Sequence, residues 1–377
     1  MFLEIEFRSQ SQEVGLMAVR RRTLLRRSQS SRRSIRPSIE PLEDRLLLAT
    51  FFVNLTSDQD DFDPADGNCD IDTILAGDQC TLRAAIQQSN GGVPGVPDEI
   101  KFNIGTGGPQ TIVPQKALPP ITHGGGVLID GTSQPPQVPG GPNFIELNGQ
   151  NVAASGLVIN TQLTTVRGLV INRFGGSGIA IDGGGNHTIA GNFIGTDGTG
   201  LVALPNTGDG ISIFASRNNT IGGANAGDGN LISGNNGNGI RFFGNESLSN
   251  MIMGNRIGLN AAGNGPLPNG LNGVDINDAR GVTVGGSTAQ ARNVISANLE
   301  SGVRLNGAAV SGIFVYGNSI GTDATSSTID PDGVPGTGDE LGNRMHGIRI
   351  DGSQGNFIGS TGAEEFNIIA GNQLSGI

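Results

Sequence analysis

The chain has 377 residues, a net charge of −11, 63 glycines, no tryptophan and one tyrosine, Tyr316. Glycine at about one residue in six without a Gly-X-Y period excludes collagen, and the frequent Ile and Val exclude simple disorder. Residues 1–50 carry a net +4 and residues 51–377 a net −15, so the body lacks the basic footprint that nucleic acid requires. No apolar run approaches the ~20 residues of a membrane span.

The N-terminal stretch RRRTLLRRSQSSRRSIRPSIEPLEDRLLLAT is basic and Ser-rich. Its only apolar core, Leu46 to Val53, is too short and too far from the start for a standard signal peptide. Within it, RPSIEPLEDRLLLA resembles the LEPR-XLL-type N-terminal motif of large planctomycete surface or exported proteins, with Asp44 where the motif's name has Pro. The resemblance implies export to the cell surface or extracellular space. It makes residues 1–50 a sorting segment expected to be disordered.

Residues 51–98 read as an N-terminal cap. The loop SDQDDFDPADGNCDID (57–72) has the oxygen-rich, turn-rich character that Ca²⁺ prefers, with Asp58, Asp60 and Asp63 as candidate ligands. It does not match an EF-hand, and a solvated acidic loop is the alternative. Cys69 and Cys80 are the only cysteines. In an exported protein they would close a small disulfide loop worth ~2–3 kcal/mol, and in a reducing compartment they would be free thiols. CTLRAAIQQSN (80–90) is the one good helical stretch of the body. A helix is predicted over 81–90, with Thr81 as N-cap and Leu82, Ala85 and Ile86 on one face, placed to lid the first coil of the repeats C-terminal to it.

From residue 99 to the end the chain repeats. Segments opening on Gly and an aliphatic residue start at 178 (GIAID), 210 (GISIF), 239 (GIRFF), 273 (GVDIN), 302 (GVRLN) and 347 (GIRID), at intervals of 32, 29, 34, 29 and 45. Weaker starts stand at 126 (GVLID) and 156 (GLVIN), and EIKFNI at 99 is a candidate for the first. A second frame, GNFIGTD at 191, GNRIGLN at 254 and GNSIGTD at 317, returns every 63 residues, the sum of one 29 and one 34. Each unit holds three short runs that alternate apolar and polar, such as ISIF, NTIGG and NLISGN, separated by Gly, Asn and Asp. Period 2 marks strands with one buried face, and the separators suit turns. Three strands and three turns per ~30 residues describe one coil of a parallel β-helix. Leucine-rich repeats and propeller blades fit worse, since Leu spacing, helix formers and aromatic punctuation are lacking. About nine coils from 99 to 375 would span ~43 Å.

In G-N-x-I-G, period 2 sends the Ile inward and the third position (Phe193, Arg256, Ser319) outward, and places the Asn at a turn where stacked amides form a ladder. The frame is structural punctuation, not a catalytic signature. The CTLRAA segment resembles the CSLREA-type segment of bacterial exported proteins, with Ala84 in place of Glu. Joined to NVISGN-like repeats, it is similar to right-handed parallel β-helix proteins of the pectin-lyase-like class, which implies that fold for residues 51–377. The chain stops at Gly376-Ile377, the opening of a further coil. That edge is expected to continue in a longer parent or to pair with another subunit.

Outward positions of the first strand run Ala180, Ser212, Arg241, Asp275, Arg304, Arg349, and then Asp182, Phe214, Phe243, Asn277, Asn306, Asp351. On one face this is a strip of Arg241, Asp275, Arg304 and Arg349 flanked by Phe214 and Phe243, and Arg forks suit carboxylate or sulfate groups. The strip is therefore a candidate groove for anionic polysaccharide (Arg241, Phe243, Asp275, Arg304, Arg349), against the alternative of a self-neutralising charge ladder. Asp275 and Asp351 are the catalytic candidates. They stand ~10 Å apart, near the upper limit for an inverting glycosidase pair, but Arg304 between them is expected to hold both ionised. A second acidic loop, DPDGVPGTGDE at 330–340, adds Asp330 and Asp332 as Ca²⁺ candidates; no other cofactor is called for. The reading that fits best is an exported surface or matrix scaffold, binding anionic polysaccharide or cell-surface components without turnover. A polysaccharide lyase or glycoside hydrolase is the alternative.

Overall fold

The computed structural model describes residues 48–377 apart from 73–76, 78, 142, 327–339 and 363. Residues 1–47, expected to be a sorting segment, and the Ca²⁺ candidates Asp330 and Asp332 lie outside the described residues.

The alternating runs fold as strands, and each pairs in parallel with its equivalents one coil before and after. Three sheets result. Sheet A has ten strands, from Thr50–Val53 to Phe357–Ile358; sheet B has nine, from Gln110–Ile112 to Ile368–Ile369; sheet C has seven, from Leu157–Ile159 to Ile348–Asp351. A full coil runs through C, A and B in turn, which makes the fold an all-β, right-handed parallel β-helix, the hand that parallel crossovers almost always take. Inward residues stack in columns. In sheet C, Ile179, Ile211, Ile240, Val274, Val303 and Ile348 are paired rung by rung and fully buried. Each such side chain contributes ~1.5–3 kcal/mol of transfer free energy, most of which offsets the ordering of the chain.

Two expectations about the first coils change. The starts at 99 and 126 belong to sheet A, where Asp98–Phe102 pairs with Val127–Asp130, whereas 156 opens sheet C. Gly-aliphatic starts occur before both sheets, so the motif alone does not say which sheet comes next. Sheet C proper begins at Leu157, preceded only by an isolated bridge from Ile121 to Ile159. The stack also starts earlier than 99, because Thr50–Val53 pairs with Asp98–Phe102. The helix, Leu82–Asn90, is capped by Thr81, whose hydroxyl accepts from the Ala84 N–H. It packs against Thr50–Val53 and Asp98–Phe102, with Leu82, Ala85 and Ile86 buried. Cys69 and Cys80 are disulfide-bonded, with Cα atoms 5.1 Å apart.

The turns on both sides of sheet B are lined by asparagines, buried in all but the last coil. Before each strand, Asn192, Asn230, Asn255, Asn293, Asn318 and Asn367 pass amide hydrogen bonds along the axis, each of 2.9–3.0 Å. After each strand a second ladder runs through Asn206, Asn235, Asn269, Asn298, Asn343 and Asn372, at 2.8–3.0 Å. Every amide in these runs is donor and acceptor at once, so the buried turns leave few groups unpaired.

The 63-residue period has a physical cause. In alternate coils the residue after the inward Ile is a glycine (Gly195, Gly258, Gly321) at φ near +90°, a turn that side chains resist. It sends out a short arm, residues 197–202 and 260–265, with a third opening at 323–326. The arms bond to one another across two rungs, Ala261 N–H to Gly200 O at 2.9 Å and Ala324 N–H to Gly263 O at 2.8 Å. In the intervening coils a serine takes the glycine's place. Ser233 donates to Leu259 O at 2.7 Å and accepts from Gly258 N–H at 3.0 Å, clamping the base of the next arm. Ser296 repeats this on Thr322 and Gly321. The arms roof the outer face of sheet B, where Leu259, Val294, Ala297 and Leu341 form a second small core. Ser319, expected to point to solvent, points outward but is fully buried beneath this roof beside Ser326.

Candidate functional site

No arm covers sheet C. Its outward side chains align as their spacing predicts: Ala180 pairs with Ser212, Ser212 with Arg241, Arg241 with Asp275, Asp275 with Arg304, and Arg304 with Arg349. Five steps of the interstrand spacing make this row ~24 Å long.

The row is not electrically uniform. Asp275 is only 4% exposed and lies between Arg241 Nε at 3.7 Å and Arg304 Nη1 at 4.0 Å. One of its oxygens accepts from the Asn277 amide, whose own oxygen accepts from Asn306; the other has no hydrogen-bond partner. Asp351 receives both of its neighbours, Arg304 Nε and Arg349 Nε, each at 2.9 Å. The two carboxyls therefore titrate differently. Burial pushes Asp275 above the usual carboxylate range, against the Asn277 bond and the pull of Arg304 and Arg241. Burial also acts on Asp351, but the bonds from Arg304 and Arg349 outweigh it and hold the group below that range. The expectation that Arg304 keeps both acids at ease as anions is thus corrected for Asp275. Two long contacts near 4 Å do not compensate desolvation, whereas two charge-assisted bonds do.

Of the arginines in this row, Arg241 is the least taken up by acids. Its Nε has no hydrogen-bond partner, and its guanidinium carbon lies 5.1 Å from the centroid of the Phe243 ring. Phe243 in turn meets Phe214 at 4.9 Å between centroids, tilted by 37°. These rings wall a shallow hollow of about 320 Å³ floored by Val158, Ala180 and Ser212, with exposed Asp182 at its rim. Sequence reasoning missed the hollow. Its signal was present, since the x position of the early coils holds Ala and Ser where later coils hold Arg and Asp.

The acidic N-terminal loop is occupied by cations of the protein itself. Asp58 accepts from Arg83 Nε and Nη2, both at 2.9 Å, and from Gln115 N–H; Asp60 pairs with Lys116 Nζ at 2.7 Å. Asp63 is exposed and accepts from Ala65 N–H. Arg83, buried inside the cap helix, is the partner that sequence reasoning missed. Among the described residues no group of three or more His, Cys, Asp or Glu gathers as a metal site.

No protein-family model matches the chain, and no curated protein matches it. Several solved structures are similar to it. A periplasmic alginate epimerase is 16% identical over 70% of this chain, with a TM-score of 0.39; the chain spans 57% of that protein's length. The A-module of the Azotobacter vinelandii mannuronan C-5 epimerase AlgE4 is 15% identical, covering 88% of this chain and 87% of its own, with a TM-score of 0.41. The Dettilon tailspike protein is 17% identical over 78% of this chain and 64% of its own, with a TM-score of 0.29.

Proposed function

We propose that the bare face of sheet C binds an acidic polysaccharide laid along the helix axis, and that the protein is an exported surface or matrix scaffold that holds such a chain without cleaving it. The observation that carries this reading is Arg241: a guanidinium on a part-exposed side chain, held by Asp275 only at 3.7 Å, beside an apolar hollow walled by Phe214 and Phe243. A sugar ring has an apolar face that stacks on an aromatic side chain and a polar rim, and a uronic or sulfated sugar adds an anion for an arginine fork. Among the described residues no helix is long and apolar enough to cross a membrane.

One observation favours a second reading, a lyase or hydrolase. Asp275 with a raised pKa and Asp351 with a lowered one are the unequal pair from which acid and base roles are built. Arg304, bridging both, stands where the glycosidic bond would have to lie, and this favours binding over turnover. The test is to expose the full chain to an array of acidic polysaccharides with and without Ca²⁺, scoring retention and new reducing or unsaturated ends. Retention without new ends, lost in Arg241→Ala, is expected. New ends that vanish in Asp275→Asn would replace the scaffold with an enzyme.

A further inference from the structure

The outer face of sheet B holds a cavity that the sequence frame touches only through its third position. It measures about 340 Å³ and is lined by Phe193, Leu231, Arg256 and Val294 from successive strands, by Ala261 and Ala324 of the arms, and by Arg292 and Gln290 from the turn that enters sheet B. Two features set it apart. Among the described residues its lining contains two arginines and no carboxylate, in a body whose net charge from residue 51 on is −15. Among the described residues no carboxylate is hydrogen-bonded to either guanidinium. Arg256 is exposed and forms no ion pair among the described residues, its stem lying against the second arm where a Cβ on Gly263 would come within 3.2 Å of Nε. Arg292 has a side chain 19% exposed. Its Nη1 donates to Ser326 at 3.2 Å, Glu364 stays 3.8 Å from Nη2, and its Nε is buried without a partner.

The physical argument is about why these charges stand where they do. A guanidinium that is mostly enclosed and has an unmet N–H is costly unless an acceptor arrives. An acidic body repels anions at long range, so a local patch free of carboxylates selects for a compact anion that fits between walls. The half-buried ring of Phe193, with the methyls of Ala261 and Ala324 beside it, asks for a ligand with a hydrophobic body as well as a charge. We infer that this cavity binds one carboxylate-bearing sugar unit, its carboxylate on Arg256 and Arg292 and its ring against Phe193. The site lies on a different sheet from the sheet C strip and does not depend on it.

The experiment is isothermal titration of the full chain with galacturonate, with galactose and inorganic sulfate as the neutral and body-less probes. Saturable galacturonate binding is expected, with galactose and sulfate each weaker by at least about tenfold, the loss of one charge-assisted contact or of the ring contact. Arg256→Gln and Arg292→Gln should each weaken galacturonate about tenfold or more, while Arg280→Gln, at an exposed arginine that does not line the cavity, leaves this affinity unchanged. Because Arg256 is exposed, its variant should keep the unliganded melting temperature, so lost binding there is not lost folding. The inference is overturned if nothing binds, if galactose or sulfate binds as well as galacturonate, or if Arg256→Gln binds normally. Binding lost only in Arg241→Ala would also overturn it, and would support the sheet C reading instead.

Discussion

Sheets B and C are built from the same alternation, yet their outward faces differ in kind. On sheet C the outward row meets solvent, with Phe214 43% exposed and Arg241 half-buried. On sheet B the equivalent positions Leu231 and Val294 are 3% and 6% exposed beneath arms from alternate coils, while Arg256 on the strand between them reaches solvent. Period 2 separates inside from outside the coil. It does not say what lies outside. A solenoid can thus carry a second buried layer on one sheet while leaving another free for ligands.

The largest effect should come from breaking that difference. Leu231→Asp places a charge under the arms and should cost about 4 kcal/mol or more, read as a collapse of the melting temperature; Ser212→Asp on the bare face should stay within about 0.5 kcal/mol. Equal effects would mean that the arms are no roof.

Next comes pH. His187 is buried at the turn between sheets C and A, where its Nδ1 accepts from Thr164 N–H as the Asn219 and Asn250 oxygens accept in the following coils. Burial drives its pKa from 6.5 down to about 4, outweighing the backbone hydrogen bonds that would raise it. The unfolded chain therefore takes up the proton first. Stability is full above pH 6.5 and falls by up to about 3 kcal/mol as pH drops toward 4. His187→Asn should supply the same acceptor and flatten that loss in urea melts at pH 4.5 and 7.5. On the bare face the sign reverses. Asp275, with its pKa raised, costs stability above the ordinary carboxyl range and less as pH falls, so Asp275→Asn should stabilise at pH 7 and have a shrinking effect toward pH 4. A matching slope in both variants would refute the contrast.

Smaller effects sharpen it. Asn269→Ala breaks the second ladder, removing the oxygen that accepts from both the side-chain amide and the backbone N–H of Asn235, and should cost about 2–3 kcal/mol in chemical denaturation. Arg349→Ala removes a surface pair with Asp351 and should cost under about 1 kcal/mol.

Much of this was legible in the residues. The strand alternation, the rung-by-rung order from Ala180 to Arg349, the first asparagine ladder and the Thr81 cap all follow from local pattern, because adjacent coils repeat one conformation. What was missed depends on contacts across coils. The second ladder was written as an Asn four positions before each Gly-aliphatic start, as in Asn235 before Gly239 and Asn298 before Gly302. The roof was written in the 63-residue recurrence itself, in Gly258 against Ser233 and Ser296. The raised Asp275 was not legible, since how closely an arginine approaches, about an ångström of difference, decides it. Nor was the cap ion pair of Arg83 with Asp58, which joins residues 25 positions apart.

The arms also constrain how such a rod can change length. Each arm bonds to the one two rungs away, so the smallest segment that can be copied or lost without rupture is a pair of coils. Removing residues 210–272, one short coil and one long, would bring the first arm against the third in the relation it now has to the second. Removing a single short coil would press two arms onto neighbouring rungs only ~4.8 Å apart, too close for both to keep their place. Along this molecule, then, length is inherited in steps of two.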